Sequence, residues 1–307
     1  MSVGAAGARA PLGARAAFGL MALVVLVWGA NWPVMKVALA DVPPLTFALA
    51  RMVLGAACLF AVLAVRGEIR LPGRADAPVV LSVALLQLAA FLALVNLGLE
   101  RVEAGRSAIL SYTTPIWVAP LAAMVMAERL TAKRLAGLGL GLAGIAVMFN
   151  PLSFDWSDHH KLAGNAMLLG AALAWAVTIV HVRRHRFVLS PLQLAPWQMV
   201  LGAIPVAVLV ALYESPADIH PGPRLWAVLA YNGPFATAFA LWAWISVNRA
   251  LPAITTAMAS LAVPVVGLLA SAATLGERIT LANGVGLALI VAGIATITAG
   301  NGAGSQP

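Results

Sequence analysis

The chain has 307 residues, of which 62% are hydrophobic and only 10% charged, with a formal net charge of +8 and a mean hydropathy of +0.94. Soluble globular domains run about 45–50% apolar and roughly 25% charged, so this excess of apolar surface requires lipid as its solvent. Strand-like alternation of apolar and polar residues is absent, which argues against a β-barrel. The basic balance would suggest nucleic acid in a soluble protein; here it belongs to short loops beside a membrane, and no nucleic-acid partner is expected. Cys58 is the single cysteine and lies in an apolar run, so it supports neither an intramolecular disulfide nor a zinc cluster.

A membrane span needs about 20 apolar residues, because the hydrocarbon core is ~30 Å thick and a helix rises ~1.5 Å per residue. The first such run starts at Phe18, after Arg9 and Arg15. Ala38-Leu39-Ala40 has the form of a signal-peptidase site, but the length of the run and a matching segment later in the chain make it the first span. Further runs predict spans near 44–65, 77–98, 104–127, 133–149, 162–182, 191–213, 225–247, 252–275 and 281–299. Connections are brief, which leaves no room for a soluble domain. The expected fold class is an all-α polytopic membrane protein with ten helices. Residues 1–17 and 300–307 are expected to be cytoplasmic tails, and 151–161 an external linker. Lys and Arg fall twelve on the N-terminal side of the membrane against five on the other, which places both termini in the cytoplasm of a cell whose inner membrane holds the protein.

An internal repeat organises the chain. Residues 51–56 read Arg-Met-Val-Leu-Gly-Ala and 198–203 read Gln-Met-Val-Leu-Gly-Ala, an offset of 147 that also places Trp28 on Trp175 and Pro44 on Pro191. An offset of 149 then superposes Ser111 on Ser260, Pro115 on Pro264, Glu128-Arg129 on Glu277-Arg278, Gly137 on Gly286 and Gly144 on Gly293. The halves 18–150 and 162–299 each hold five spans. Because five is odd, the second half must enter the membrane from the opposite side. Inverted duplication is the architecture of alternating-access carriers, which bind solute near mid-membrane between the halves.

The paired signature, Pro115 with Glu128-Arg129-Leu130-Thr131 and Pro264 with Glu277-Arg278-Ile279-Thr280, resembles the drug/metabolite transporter superfamily. More narrowly the chain resembles the EamA family and, within it, the aromatic amino-acid exporters. That resemblance implies ten helices in two inverted five-helix repeats, a central cavity open to one side, and export of amino acids or related metabolites.

Trp28 and Trp175 are repeat-matched and fall near the middle of their spans, as does Trp117, whereas interfacial Trp lies near span ends. They could wall a cavity for an apolar or aromatic side chain, or pack between helices. Trp226, Trp242, Trp244 and Trp156 read as interface anchors or loop residues. Asn31, Gln87, Tyr112, Thr113, Thr114, Thr178 and Ser260 are polar at membrane depth and need a hydrogen bond or water. A wet cavity would satisfy them and offer partners to an amino-acid backbone; helix-to-helix bonds are the alternative. Pro115 and Pro264 each free a carbonyl one turn earlier and permit a kink, which suits either a gate or static packing. Glu128-Arg129 and Glu277-Arg278 read as caps or ion pairs. The glycines of the fifth and tenth spans allow close approach, within the monomer or against a second copy. Lys36 and Arg51 read by default as snorkelling to the interface, while a cavity-facing Arg51 could attract a carboxylate or phosphate. His181 and His185 have metal-compatible spacing, but Arg183, Arg184 and Arg186 oppose a cation.

No Asp or Glu falls well inside a span, which favours uniport or exchange over proton coupling. The expected function is export of amino acids, aromatic or large neutral ones favoured, with small-molecule substrate and lipid as partners, no cofactor, no metal, and a monomer or weak homodimer. Efflux of other metabolites or drugs is the alternative carrier reading. An integral membrane enzyme would need a cluster of His and acidic residues or a nucleophile–base pair, which this sequence does not offer.

Overall fold

In the computed structural model, residues 13–126, 132–149, 157–185, 187–250 and 262–299 are described. They form α1 (Ala14–Ala38), α2 (Pro44–Val65), α3 (Ala77–Arg101), α4 (Ala104–Ser111 and Thr114–Met126) and α5 (Ala132–Phe149) in the first half. The second half holds α6 (His159–Arg184), α7 (Pro191–Tyr213), α8 (Pro223–Tyr231, Asn232–Phe239 and Ala240–Ala250), α9 (Ala262–Leu275) and α10 (Leu281–Ala299). Proline starts α2, α7 and α8 at positions where its missing N–H is an orphan in any helix. Ser190 and Gln193 close α7 with reciprocal side-chain bonds. Gly67 after α2 and Gly276 after α9 have φ of 64° and 68°, the left-handed conformation that stops a helix. By length and composition α1, α2, α3, α6 and α7 can each cross a bilayer unaided. Leucine, valine and phenylalanine cover their outer faces (Phe18, Leu26, Val53 and Leu201 among them), as lipid contact demands.

The packing has a two-fold pattern. α2 packs on α7, α4 on α9 and α5 on α10, pairing repeat-equivalent helices. The remaining main contacts come in equivalent pairs: α1 with α9 and α6 with α4, α3 with α6 and α8 with α1, α2 with α8 and α7 with α3. Exchanging the halves leaves this set unchanged. The chain is a polytopic all-α membrane protein built from two repeated halves.

Two departures from simple helices fall in the middle of the molecule. α4 breaks at Tyr112-Thr113, so Pro115 lies in the first turn of a restarted helix, where it removes no bond. Residues 83–90 of α3 and 232–239 of α8 wind as π-helix. These segments are 149 residues apart, the same offset as the repeat. π turns are rare, misalign the backbone ladder and occur frequently at functional sites.

The glycine pairs of α5 and α10 meet within the monomer. A Cβ on Gly293 would stand 2.5 Å from the Gly137 carbonyl oxygen and 2.7 Å from the Gly141 nitrogen, and one on Gly144 would stand 2.8 Å from the Gly286 oxygen.

Candidate functional site

The residues Trp28, Asn31, Trp32 and Met35 lie at i, i+3, i+4 and i+7 on α1 and form one stripe facing a cavity between the halves. The cavity is about 130 Å³, close to the ~150 Å³ that holds a benzene ring in an apolar protein core. Its walls are aromatic. Trp244 of α8 leans on Trp28 with centroids 5.4 Å apart. Across the cavity, Trp175 meets Phe91 edge-on at 5.2 Å and Tyr112 at 6.1 Å. The break in α4 is what lets Tyr112 stand here, and the π segments supply Gln87 and Leu88 from α3 and Ala236 and Thr237 from α8. Trp28 Nε1 donates to the Ala236 carbonyl at 3.1 Å, so the first-half tryptophan is fixed to the second-half π turn.

Among the described residues Arg51 of α2 is the only charged side chain on this lining, and it is 6% exposed. Its Nε donates to Thr237 Oγ1 at 3.3 Å and its Nη1 to the sulfur of Met35 at 3.0 Å.

A family model for the EamA-like transporter family matches residues 15–150 and again 162–299. The chain belongs to the EamA-like transporter family. It is 28% identical to the uncharacterized transporter YoaV of Bacillus subtilis (strain 168), over 88% of this chain and 92% of that protein. It is also 28% identical to a probable amino-acid metabolite efflux pump of Escherichia coli (strain K12), over 90% of this chain and 92% of that one. A solved crystal structure at 24% identity superposes with a TM-score of 0.65, covering 92% of this chain and 98% of the other, a likeness of fold.

In this EamA chain the structure brings together Trp28, Asn31, Gln87, Tyr112 and Trp175 of the residues singled out in the sequence. Thr114 and Thr178 are buried away from the lining, and their hydroxyls donate to carbonyls of their own span, Ser111 at 3.1 Å and Ala174 at 3.1 Å. Pro264 is buried in α9. Ser260, Glu128, Arg129 and Trp156 lie outside the described residues. Trp244 and Thr237 are additions: Trp244 reads as an interface anchor in sequence, yet it walls the cavity. Arg51 takes the cavity position rather than the snorkelling one. Lys36 does neither. Its ammonium donates to the carbonyls of Leu99, Glu100 and Val102 and so caps the C-terminal end of α3.

The face bearing the 39–43, 102–103, 214–222 and 276–280 connections (the distal face) is tied across the halves by charge. Glu277 accepts from the Ala104 and Gly105 N–H groups at 2.6 and 2.9 Å, satisfying orphan donors at the start of α4. Glu214 does the same for Leu45 and Thr46 at the start of α2, at 2.7 and 2.6 Å. Arg224 holds Asp41 in a two-pronged pair, one bond of 2.6 Å, and its hydrogen bond keeps the Asp41 carboxyl below the usual range. Trp32, Ala38, Phe47, Leu99, Ala108 and Leu225 fill the space between these ties and the cavity. On the opposite, proximal face, Asp76 accepts from Val188 and Leu189 N–H at 3.0 Å each and lies 3.2 Å from His185 Nε2.

Burial acts to raise the Asp76 pKa, but the two N–H donors and His185 outweigh it and hold the carboxyl below its ordinary value. A depressed folded-state pKa contributes stability above the unfolded carboxylate pKa near ~4, and that stability is lost as pH falls through the lower folded value. Asp76→Asn should therefore lower the melting temperature at neutral pH. The gap to wild type should narrow on acidification below about pH 4. A gap that stays constant down to pH 3 would contradict this role for the charge.

Proposed function

We propose that this EamA-family chain exports amino acids, aromatic and large neutral ones above all, by alternating access and without proton coupling. The observation that carries the reading is the aromatic cavity between the repeats, where Trp28, Trp244, Trp175, Phe91 and Tyr112 surround room for one ring. Aromatic walls bind aromatic and bulky apolar side chains through offset and edge-on contacts. The relatives described as probable amino-acid metabolite efflux pumps support the same substrate class. Arg51 on the lining disfavours cationic drugs, which would meet a like charge in a low-dielectric site.

The proximal face, with Arg66, Arg70, Arg74 and Arg184, is the cytoplasmic one in this reading, in line with the positive-inside bias. Both termini are then cytoplasmic, and the protein lies in the cell's inner membrane with residues 18–150 and 162–299 as its two repeats. The ties at Glu277, Glu214 and Asp41 close the outer side, and Pro115, just after the break in α4, and its repeat partner Pro264 in α9 are the bending points that reopen it.

Efflux from proteoliposomes preloaded with a panel of labelled amino acids, with and without an imposed pH gradient, tests this. Saturable efflux of phenylalanine, tryptophan and leucine that ignores the gradient is expected. Flux of other solutes only would move the substrate class, and gradient-driven flux would overturn the facilitative mechanism.

A further inference from the structure

Arg51 is a buried cation in the middle of a membrane protein, and its contacts are a hydroxyl and a thioether. A guanidinium carries five N–H donors and stays charged at any physiological pH. Two of its nitrogens are engaged, by Thr237 and Met35. Among the described residues no carboxylate lies within ion-pair distance of it. Among the described residues the one ionisable group that bears on it is Tyr231, whose hydroxyl is spent on the Val27 carbonyl at 2.7 Å. A buried charge without a counter-charge is strongly destabilising, and such residues inside a membrane face a pathway or a ligand. Its repeat partner, Gln198, is buried and neutral, so the fold does not need a charge at this position.

A second observation points the same way. The side-chain oxygen of Asn31 is buried on the same lining and has no hydrogen-bond partner among the described residues. Asn31 stands one turn before Met35 on α1, the residue that the Arg51 guanidinium touches, so the two polar groups share one region of the lining. One is a donor array that wants an anion. The other is an orphan acceptor that wants a donor.

We infer that Arg51 and Asn31 form the subsite for the backbone of an α-amino acid, Arg51 binding the carboxylate and Asn31 Oδ1 accepting from the ammonium. This rests on the amino-acid reading given above and adds its recognition chemistry. Both charged groups of an α-amino acid sit on one carbon, which suits a donor array and an acceptor on one cavity lining. The side chain then extends among Trp28, Trp175 and Trp244. One arginine balances one negative charge, which favours a monocarboxylate over a phosphate. Thr237 belongs to the π segment of α8, so occupancy of Arg51 also bears on the element that carries the second half's cavity wall.

Intrinsic tryptophan fluorescence of the purified full chain reports binding through the cavity indoles, and phenylalanine and its analogues absorb too little to interfere. The probes are phenylalanine, 3-phenylpropanoate (no ammonium) and phenethylamine (no carboxylate), against wild type, Arg51→Gln, Arg51→Lys and Asn31→Ala. Wild type should bind phenylalanine best, 3-phenylpropanoate next and phenethylamine least. Arg51→Gln should weaken phenylalanine and 3-phenylpropanoate by at least about tenfold and erase the bias against phenethylamine, as expected for a lost charge-assisted bond. Arg51→Lys should recover part of that loss. Asn31→Ala should weaken phenylalanine more than 3-phenylpropanoate. The melting temperature of Arg51→Gln should match or exceed that of wild type, because an unpaired buried charge is removed. Arg51-dependent binding of 3-phenylpropanoate without binding of phenylalanine would keep the carboxylate subsite and overturn the amino-acid reading. Equal binding of phenylalanine by wild type and Arg51→Gln would do the reverse. No binding of any probe would overturn both.

Discussion

Trp175→Ala is expected to raise the half-saturating concentration for phenylalanine by at least about tenfold while leaving membrane yield and melting temperature close to wild type. The ring is half-buried and is held by edge contacts to Phe91 and Tyr112 rather than by packing in a closed core. Removing it enlarges a cavity that already exists. The loss should therefore fall on the ligand more than on the fold. Trp28→Ala is a less clean probe, because that indole also holds the Ala236 carbonyl of the second-half π segment. Its removal leaves a carbonyl at membrane depth without its partner, and transport and stability should fall together. Unchanged phenylalanine kinetics in well-folded Trp175→Ala would take that wall out of the site.

Gly293→Leu is expected to separate α5 from α10 and to lower the melting temperature sharply, by the equivalent of about 1–3 kcal/mol or more for overpacking. The atoms nearest to a new Cβ are backbone, the Gly137 oxygen at 2.5 Å and the Gly141 nitrogen at 2.7 Å, which cannot rotate away. Gly144 faces the same constraint from the Gly286 oxygen and the Ile290 nitrogen. Gly139 is the internal control, since a Cβ there meets nothing within 4 Å. Gly139→Ala should be neutral or slightly stabilising, as helix propensity alone predicts. Comparable melting temperatures for Gly293→Leu and Gly139→Ala would refute close α5–α10 packing.

Much of this architecture is legible in the sequence because lipid imposes it. Apolar runs of span length admit only helices, and the offset from Arg51-Met52 to Gln198-Met199 exposes the duplication before any contact is known. Five of the cavity residues follow from the same logic, since Asn31, Gln87 and Tyr112 are polar at depth and Trp28 and Trp175 are central and repeat-matched. What the sequence does not carry is rotation about each helix axis. A span that is apolar on every side has no periodicity to mark its inner face, so Trp244 passes for an interface anchor and Arg51 for a snorkelling residue. Thr114 and Thr178 misdirect for a related reason: a hydroxyl in a helix can satisfy itself on a carbonyl three or four residues back and needs no cavity. The π segments leave no pattern in the residues that compose them. Only their 149-residue separation, once the backbone is in view, ties them to the repeat.

In the proposed mechanism one amino-acid site is exposed alternately to each side of the membrane. Counterflow tests it most directly: proteoliposomes loaded with unlabelled phenylalanine are diluted into a trace of labelled phenylalanine, and uptake is followed against external concentration. A transient accumulation of label above equilibrium, saturating with concentration and depressed in Trp175→Ala, is expected. Label that only equilibrates, at a rate linear in concentration, would describe a channel and contradict the account.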